Sequence, residues 1–185
     1  MTSFAKLGLA GLMALALFAC SKPVEIIVGQ TNVGPITIKT EFNAAVVEKL
    51  LPSLDVEATV SSALQPGEHV IRVSNGSTAL FEIYPALDGK TVESVLVLDE
   101  SIKDDKGVHI GSPFAEAIPE ANLGDCMAGA GEKTGRLYCP QPGSTHVIYE
   151  LQGATPAPDG EVPPAAELKD WHVTSMLWDG REPAH

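Results

Sequence analysis

Cations are scarce in this chain: Lys and Arg number 12 against 24 Asp and Glu, a formal net charge of −12. A surface of that sign repels phosphate backbones and anionic headgroups, which excludes nucleic acid as a partner. Aromatic residues are equally thin, 5% of the chain, so the tryptophans Trp171 and Trp178, which flank the last strand-like segment, carry unusual weight. Core packing is the ordinary fate of such rings, whereas an exposed one marks a contact surface, and the pair is our candidate contact surface.

Motifs that carry chemistry are lacking as well. There is no GxSxG, HExxH, CxxC or HxH spacing, and the histidines at 69, 109, 146, 172 and 185 stand alone. Ser144-Thr145-His146 puts a serine near a histidine, but it reads as the start of a strand after a turn. The acidic stretch from Asp99 to Gly107 lacks the alternating carboxylates of a calcium loop and holds two lysines, so it reads as a solvated connection. Ala128 to Thr134 ends like a phosphate loop, yet its spacing is wrong and it lies between two cysteines. The expectation is therefore no catalytic residue, no metal ligand and no cofactor, in a non-enzymatic binding or accessory module. The runner-up is a hydrolase-type enzyme acting on envelope material, with His146 or the acids near Asp99 in its site.

What is present begins at the N-terminus. Lys6 precedes the apolar run Leu7–Ala19, too short to span a bilayer and closed by small residues, which is the pattern of a secretory signal peptide over 1–19. Export places Cys126 and Cys139 where disulfides form and persist, so a bond between them is expected.

After a lipidated N-terminus and tether at 20–33, residues 34–185 read as one α+β domain: an antiparallel sheet with helices on one face. Thr40 as N-cap, apolar spacing through Leu51 and Pro52 as a stop predict a helix over about 42–51. Strand-like runs follow at 56–60, across the Asn75-Gly76 hairpin, and at 92–98. A similar order returns, with Ser112 answering Thr40, Phe114 answering Phe42 and Glu150 answering Glu82, which divides the domain into degenerate half-repeats at 34–99 and 107–179. Alternation then sets Val95 and Val97 with Met176 and Trp178 on one side, and Phe81 and Ile83 with Tyr149 and Leu151 likewise, with both glutamates turned away. The second half alone inserts the proline-rich segment 152–170, which Val162 and Leu168 are placed to pin down.

Leu17-Phe18-Ala19-Cys20 resembles the lipobox of bacterial lipoproteins, and the resemblance implies that Cys20 carries diacylglycerol and an N-linked acyl chain such as palmitate. Ser21 in the next position implies sorting to the outer membrane. Together with VLDESIKDDKGVHIGSPF at 97–114, the cysteines 126 and 139, GSTHVIYEL at 143–151 and LKDWHVTSMLW at 168–178, the chain resembles a family of Gram-negative lipoproteins of unknown function controlled by the envelope-stress sigma factor RpoE. The resemblance implies a protein held to the outer membrane by its lipid, with no known activity; the binding-module reading has it face the periplasm and meet an envelope protein partner. The resemblance implies no catalytic residue and no oligomeric state.

Overall fold

The computed structural model describes residues 26–154 and 156–181; the signal segment, Cys20 and the last residues of the tail lie outside them. Ten strands and two helices follow the order β1 (Ile27–Val28), α1 (Ala44–Leu50), β2 (Asp55–Val60), β3 (His69–Asn75), β4 (Thr78–Pro85), β5 (Val92–Val97), β6 (Lys103–Asp104), α2 (Phe114–Ala117), β7 (Met127–Ala128), β8 (Leu137–Pro140), β9 (Val147–Gln152) and β10 (His172–Asp179). Eight of the strands form one antiparallel sheet in the order β2-β3-β4-β5-β10-β9-β8-β7, and β1 pairs with β6 in parallel beside it.

Period-two alternation assigns the sheet its two faces. Phe81, Ile83, Val95, Val97, Tyr149, Leu151, Met176 and Trp178 all point inward and are buried, in one cluster with Val47 of α1 and Phe114 and Ala117 of α2. Both helices thus cover the inner face, the α+β arrangement expected. Full burial of each such aliphatic or aromatic side chain is worth about 1.5–3 kcal/mol. Phe114 is buried, whereas Phe42 is only partly covered at the edge of the cluster.

Local details differ from expectation for identifiable reasons. Asn43, not Thr40, caps α1, accepting from the Ala45 N–H, because the Thr40 hydroxyl is taken by the Thr37 N–H in the preceding turn. Ser112 likewise turns back to the His109 N–H, leaving Pro113 to open a helix of one turn. Each helix ends where the next residue but one is a proline, since Leu51 before Pro52 and Ile118 before Pro119 are pushed out of the helical region. In the β3–β4 hairpin only Gly76 has positive φ, so the turn runs over Gly76-Ser77 with glycine first, the pattern of type II′ rather than I′. The tether also ends earlier than residue 33: Val28 and Val33 are fully buried, and Val28 pairs with Asp104 in the β1–β6 ribbon.

Sequence halves 34–99 and 107–179 share backbone features at matching points. Phe42 N–H bonds Lys90 O and Val92 N–H bonds Thr40 O; Phe114 N–H bonds Trp171 O and Val173 N–H bonds Ser112 O. The ladder breaks opposite Tyr84-Pro85 at Val92–Ser94, and again opposite Glu150-Leu151 at Val173–Ser175. Ser61 N–H to Glu68 O and Gly129 N–H to Arg136 O, both 2.8 Å, close two loops of equal length, in which Gly67 and Gly135 have φ of 89° and 88°. This register corrects one sequence correspondence by two residues. Tyr84 and Glu150 occupy matching places, as do Glu82 and Ile148, whereas the sequence pattern set Glu82 against Glu150. A two-residue shift preserves face parity, which is why the inward set is still the expected one.

Residues 156–168 form an arm. Ala157 and Leu168 are buried while Val162 is exposed, so only Leu168 of the two expected pins holds it. It lies along the β7–β8 loop, where Asp159 accepts from the Gly131 N–H at 3.1 Å and the Thr134 hydroxyl at 2.9 Å.

Candidate functional site

The outer face of the sheet carries the site. On its first-half side the β2–β3 loop folds down onto it, fixed by a buried polar cluster. Glu82, 1% exposed, accepts from the Ser61 hydroxyl at 2.7 Å, the Tyr84 hydroxyl at 2.8 Å and the Arg72 guanidinium at 2.8 Å. Burial alone pushes the Glu82 carboxyl up, but these hydrogen bonds and the Arg72 charge hold it below the ordinary range. Burial pushes the Tyr84 phenol up to about 12. The clamp seats Leu64 on Val70, Tyr84 and Leu96, and the Leu64 N–H donates to the Tyr84 hydroxyl at 3.3 Å.

Beyond Leu64 the face is open. A groove of about 240 Å³ crosses the central strands, with Leu96, Leu98, Leu177 and Ile148 as its floor, Ala63 and Leu64 as one wall, and Lys133, Arg136, Tyr138 and Glu150 as the other, with Ser175 between. Its floor is apolar because β5, β9 and β10 place aliphatic side chains on both faces, where a half-solvated strand alternates with polar ones. Lys133 Nζ lies 5.5 Å from the centre of the Tyr138 ring, a cation–π approach, and makes no ion pair among the described residues. Arg136 pairs with Glu150 at 3.0 Å. Burial, then the Glu150 charge, raises the Tyr138 phenol above its usual value. Among the described residues, the Arg136, Gln152 and Thr174 side chains all donate to Glu150 at Oε1.

The sequence-based candidates lie elsewhere. Trp171 and Trp178 are 2% and 1% exposed, so neither offers a contact surface: β10 turns Trp178 inward, Trp171 is buried just ahead of that strand, large rings gain most from burial, and the Trp178 indole N–H donates to Gln30 O at 3.3 Å. Cys20 lies outside the described residues. Cys126 and Cys139 are joined, with Cα atoms 4.2 Å apart, tying the approach to edge strand β7 onto β8.

His146 and Ser144 form no nucleophile–base pair. The His146 Nδ1 lies 2.8 Å from Asp179 O, and the Ser144 hydroxyl accepts the N–H groups of His146 and Val147, a turn-capping use. Of the acids from 99 to 107, Asp104 is not solvated: it is 3% exposed and takes hydrogen bonds from Tyr149, from Gln141 Nε2 at 2.7 Å, and from the Lys106 and Val108 N–H groups. Burial, then the bond to Asp104, raises the Tyr149 phenol. With every neighbour engaged, this carboxylate clamps the chain between the halves. No group of three or more His, Cys, Asp or Glu side chains is placed to hold a metal among the described residues.

None of the groove residues was singled out from sequence. The signal was present in Val95-Leu96-Val97-Leu98 and Val147-Ile148-Tyr149, whose unbroken apolar runs mark a strand covered on both faces.

A family model described as a protein of unknown function (DUF1131) matches residues 15–180. The Escherichia coli (strain K12) protein described as uncharacterized protein YfeY is 28% identical over 155 residues, spanning 82% of this chain and 78% of that protein. The crystal structure of the uncharacterized protein yfeY from Escherichia coli aligns with 83% of this chain and 99% of that one, at 27% identity and a TM-score of 0.63.

Proposed function

The chain belongs to the DUF1131 family of proteins, and from that premise we propose that it is a lipid-anchored binding module of the bacterial envelope. In this reading Cys20 carries acyl chains, the body faces the periplasm from the outer membrane under envelope-stress control, and the outer-face groove meets another envelope component without catalysing a reaction. The two halves of the body descend from one duplicated unit.

The observation that carries the reading is the groove: an apolar floor left open on a sheet face whose other side is filled. Contiguous exposed apolar surface of this kind marks an interaction site. The lipid reading rests on the signal-like segment ending at Cys20, since two or three acyl chains, at about 0.8 kcal/mol per buried methylene, anchor stably where one does not.

A photo-crosslinking residue placed at Ile148 or at Leu177 in cells tests the binding reading. It is expected to capture one discrete envelope component, while the same residue at Leu87, fully exposed at a turn away from the groove, does not. Equal capture from both places, or none from the groove, overturns it.

A further inference from the structure

Resting on the reading of the groove as a binding surface, we propose that it receives a leucine-sized aliphatic side chain from an extended peptide segment of a protein partner. The partner residue is held as the molecule holds its own Leu64.

The matched register of the halves carries this. The loops 61–68 and 129–136 are closed by the same backbone hydrogen bond, and the strands behind them place Val70 with Tyr138, Tyr84 with Glu150, and Leu96 with Leu177 at corresponding positions. In the first half these positions form the seat into which Leu64 packs. In the second half the same three positions line the groove. Leu64's counterpart by loop position is Glu132, which is exposed, and Asp159 of the arm holds Gly131 and Thr134 on either side of it. The molecule therefore has two copies of one seat, one filled by its own leucine and one open.

Polar groups around the open seat fit a peptide backbone. Where Tyr84 takes the Leu64 N–H, its counterpart Glu150 offers Oε2, free of the hydrogen bonds gathered on Oε1. Lys133, matching Gln65 by loop position, supplies an N–H donor for a carbonyl on the same side. A peptide provides both a donor and an acceptor beside its side chain. A fatty acid provides only an anion, which Lys133 would attract and Glu150 repel.

The test uses the mature, disulfide-bonded chain and a synthetic peptide copied from the filled seat, residues 60–67 (Val-Ser-Ser-Ala-Leu-Gln-Pro-Gly), followed by amide NMR shifts. Saturable shifts are expected at Tyr138, Glu150 and Leu177. Placing Asp at the peptide's leucine, or Leu177→Asp in the protein, is expected to weaken binding at least about tenfold, as loss of a buried leucine implies. Ile148→Asp gives a second variant should Leu177→Asp fail to fold. No shift at millimolar peptide, or shifts indifferent to these changes, overturns the proposal, as does decanoate moving the same amides when the peptide does not. If the peptide fails while groove crosslinking still captures a partner, only this inference falls; if both fail, the binding reading falls with it.

Discussion

The two halves of the sheet place similar backbones under different side chains, and the outer face shows what that difference does. In the first half a serine, a glutamate and a tyrosine draw the β2–β3 loop down, and Leu64 closes the face. In the second half the corresponding positions carry Gly129 for Ser61, Ile148 for Glu82 and Glu150 for Tyr84, so nothing draws the β7–β8 loop inward, and the arm holds it aside. A binding groove thus arises from a packing position that the first half fills with its own leucine and the second half leaves open.

The largest difference in stability between the halves is expected on the inner face. Phe114→Ala removes a fully buried ring and is expected to cost about 3–5 kcal/mol, while Phe42→Ala, at the matching but half-covered place, costs clearly less. Denaturant unfolding of the two variants reads this directly, and equal losses would mean that the halves bury their phenylalanines alike.

Cysteine removal comes next. Cys126 and Cys139 stand where the first half pairs exposed Ala58 with buried Ile71, so the second half ties covalently a position that the first half leaves to its backbone ladder. The double Cys→Ser change is expected to cost roughly 3 kcal/mol for the loop it reopens, and unfolding with and without reductant reports it.

Leu64→Ala should cost roughly 1–2 kcal/mol, less than the 2–5 of a fully buried site because Leu64 is half-buried, and it should extend the groove across both halves. Binding of an apolar fluorescent probe is then expected to rise; an unchanged signal would mean that Leu64 does not separate the two seats.

The smallest effect is in pH dependence. The Glu82 carboxyl is held below its ordinary value of 4.5, so its contribution is present in full above that value and is lost as pH falls through the lower folded value. Stability measured from pH 7 down to pH 3 should fall more steeply for the natural chain than for Glu82→Gln. Parallel curves would contradict the clamp.

Much of the architecture was legible because it rests on short-range rules. The strands, the hairpin, the inward set and the disulfide follow from alternation, turn residues and export. The N-caps were misread at Thr40 and Ser112, since a hydroxyl that caps a helix also closes a turn, and the competition is decided by the strand each segment bridges. The site was hidden for a different reason: its residues come from β5, β8, β9, β10 and two loops, and their meeting depends on strand order, which no local pattern encodes. The tryptophans drew attention by rarity, yet the alternation of β10 already assigned Trp178 to the inner face beside Met176.

In this reading the second half holds an open copy of the Leu64 seat. The direct measurement is an NMR structure of the chain carrying Glu132→Leu together with Asp159→Ala, which gives the β7–β8 loop a leucine and releases it from the arm. Contacts are expected from the new methyl groups to the Tyr138 ring and to Leu177, with the groove closed and the copied peptide no longer bound. A loop that stays out, with its new side chain in solvent and peptide binding unchanged, would contradict it.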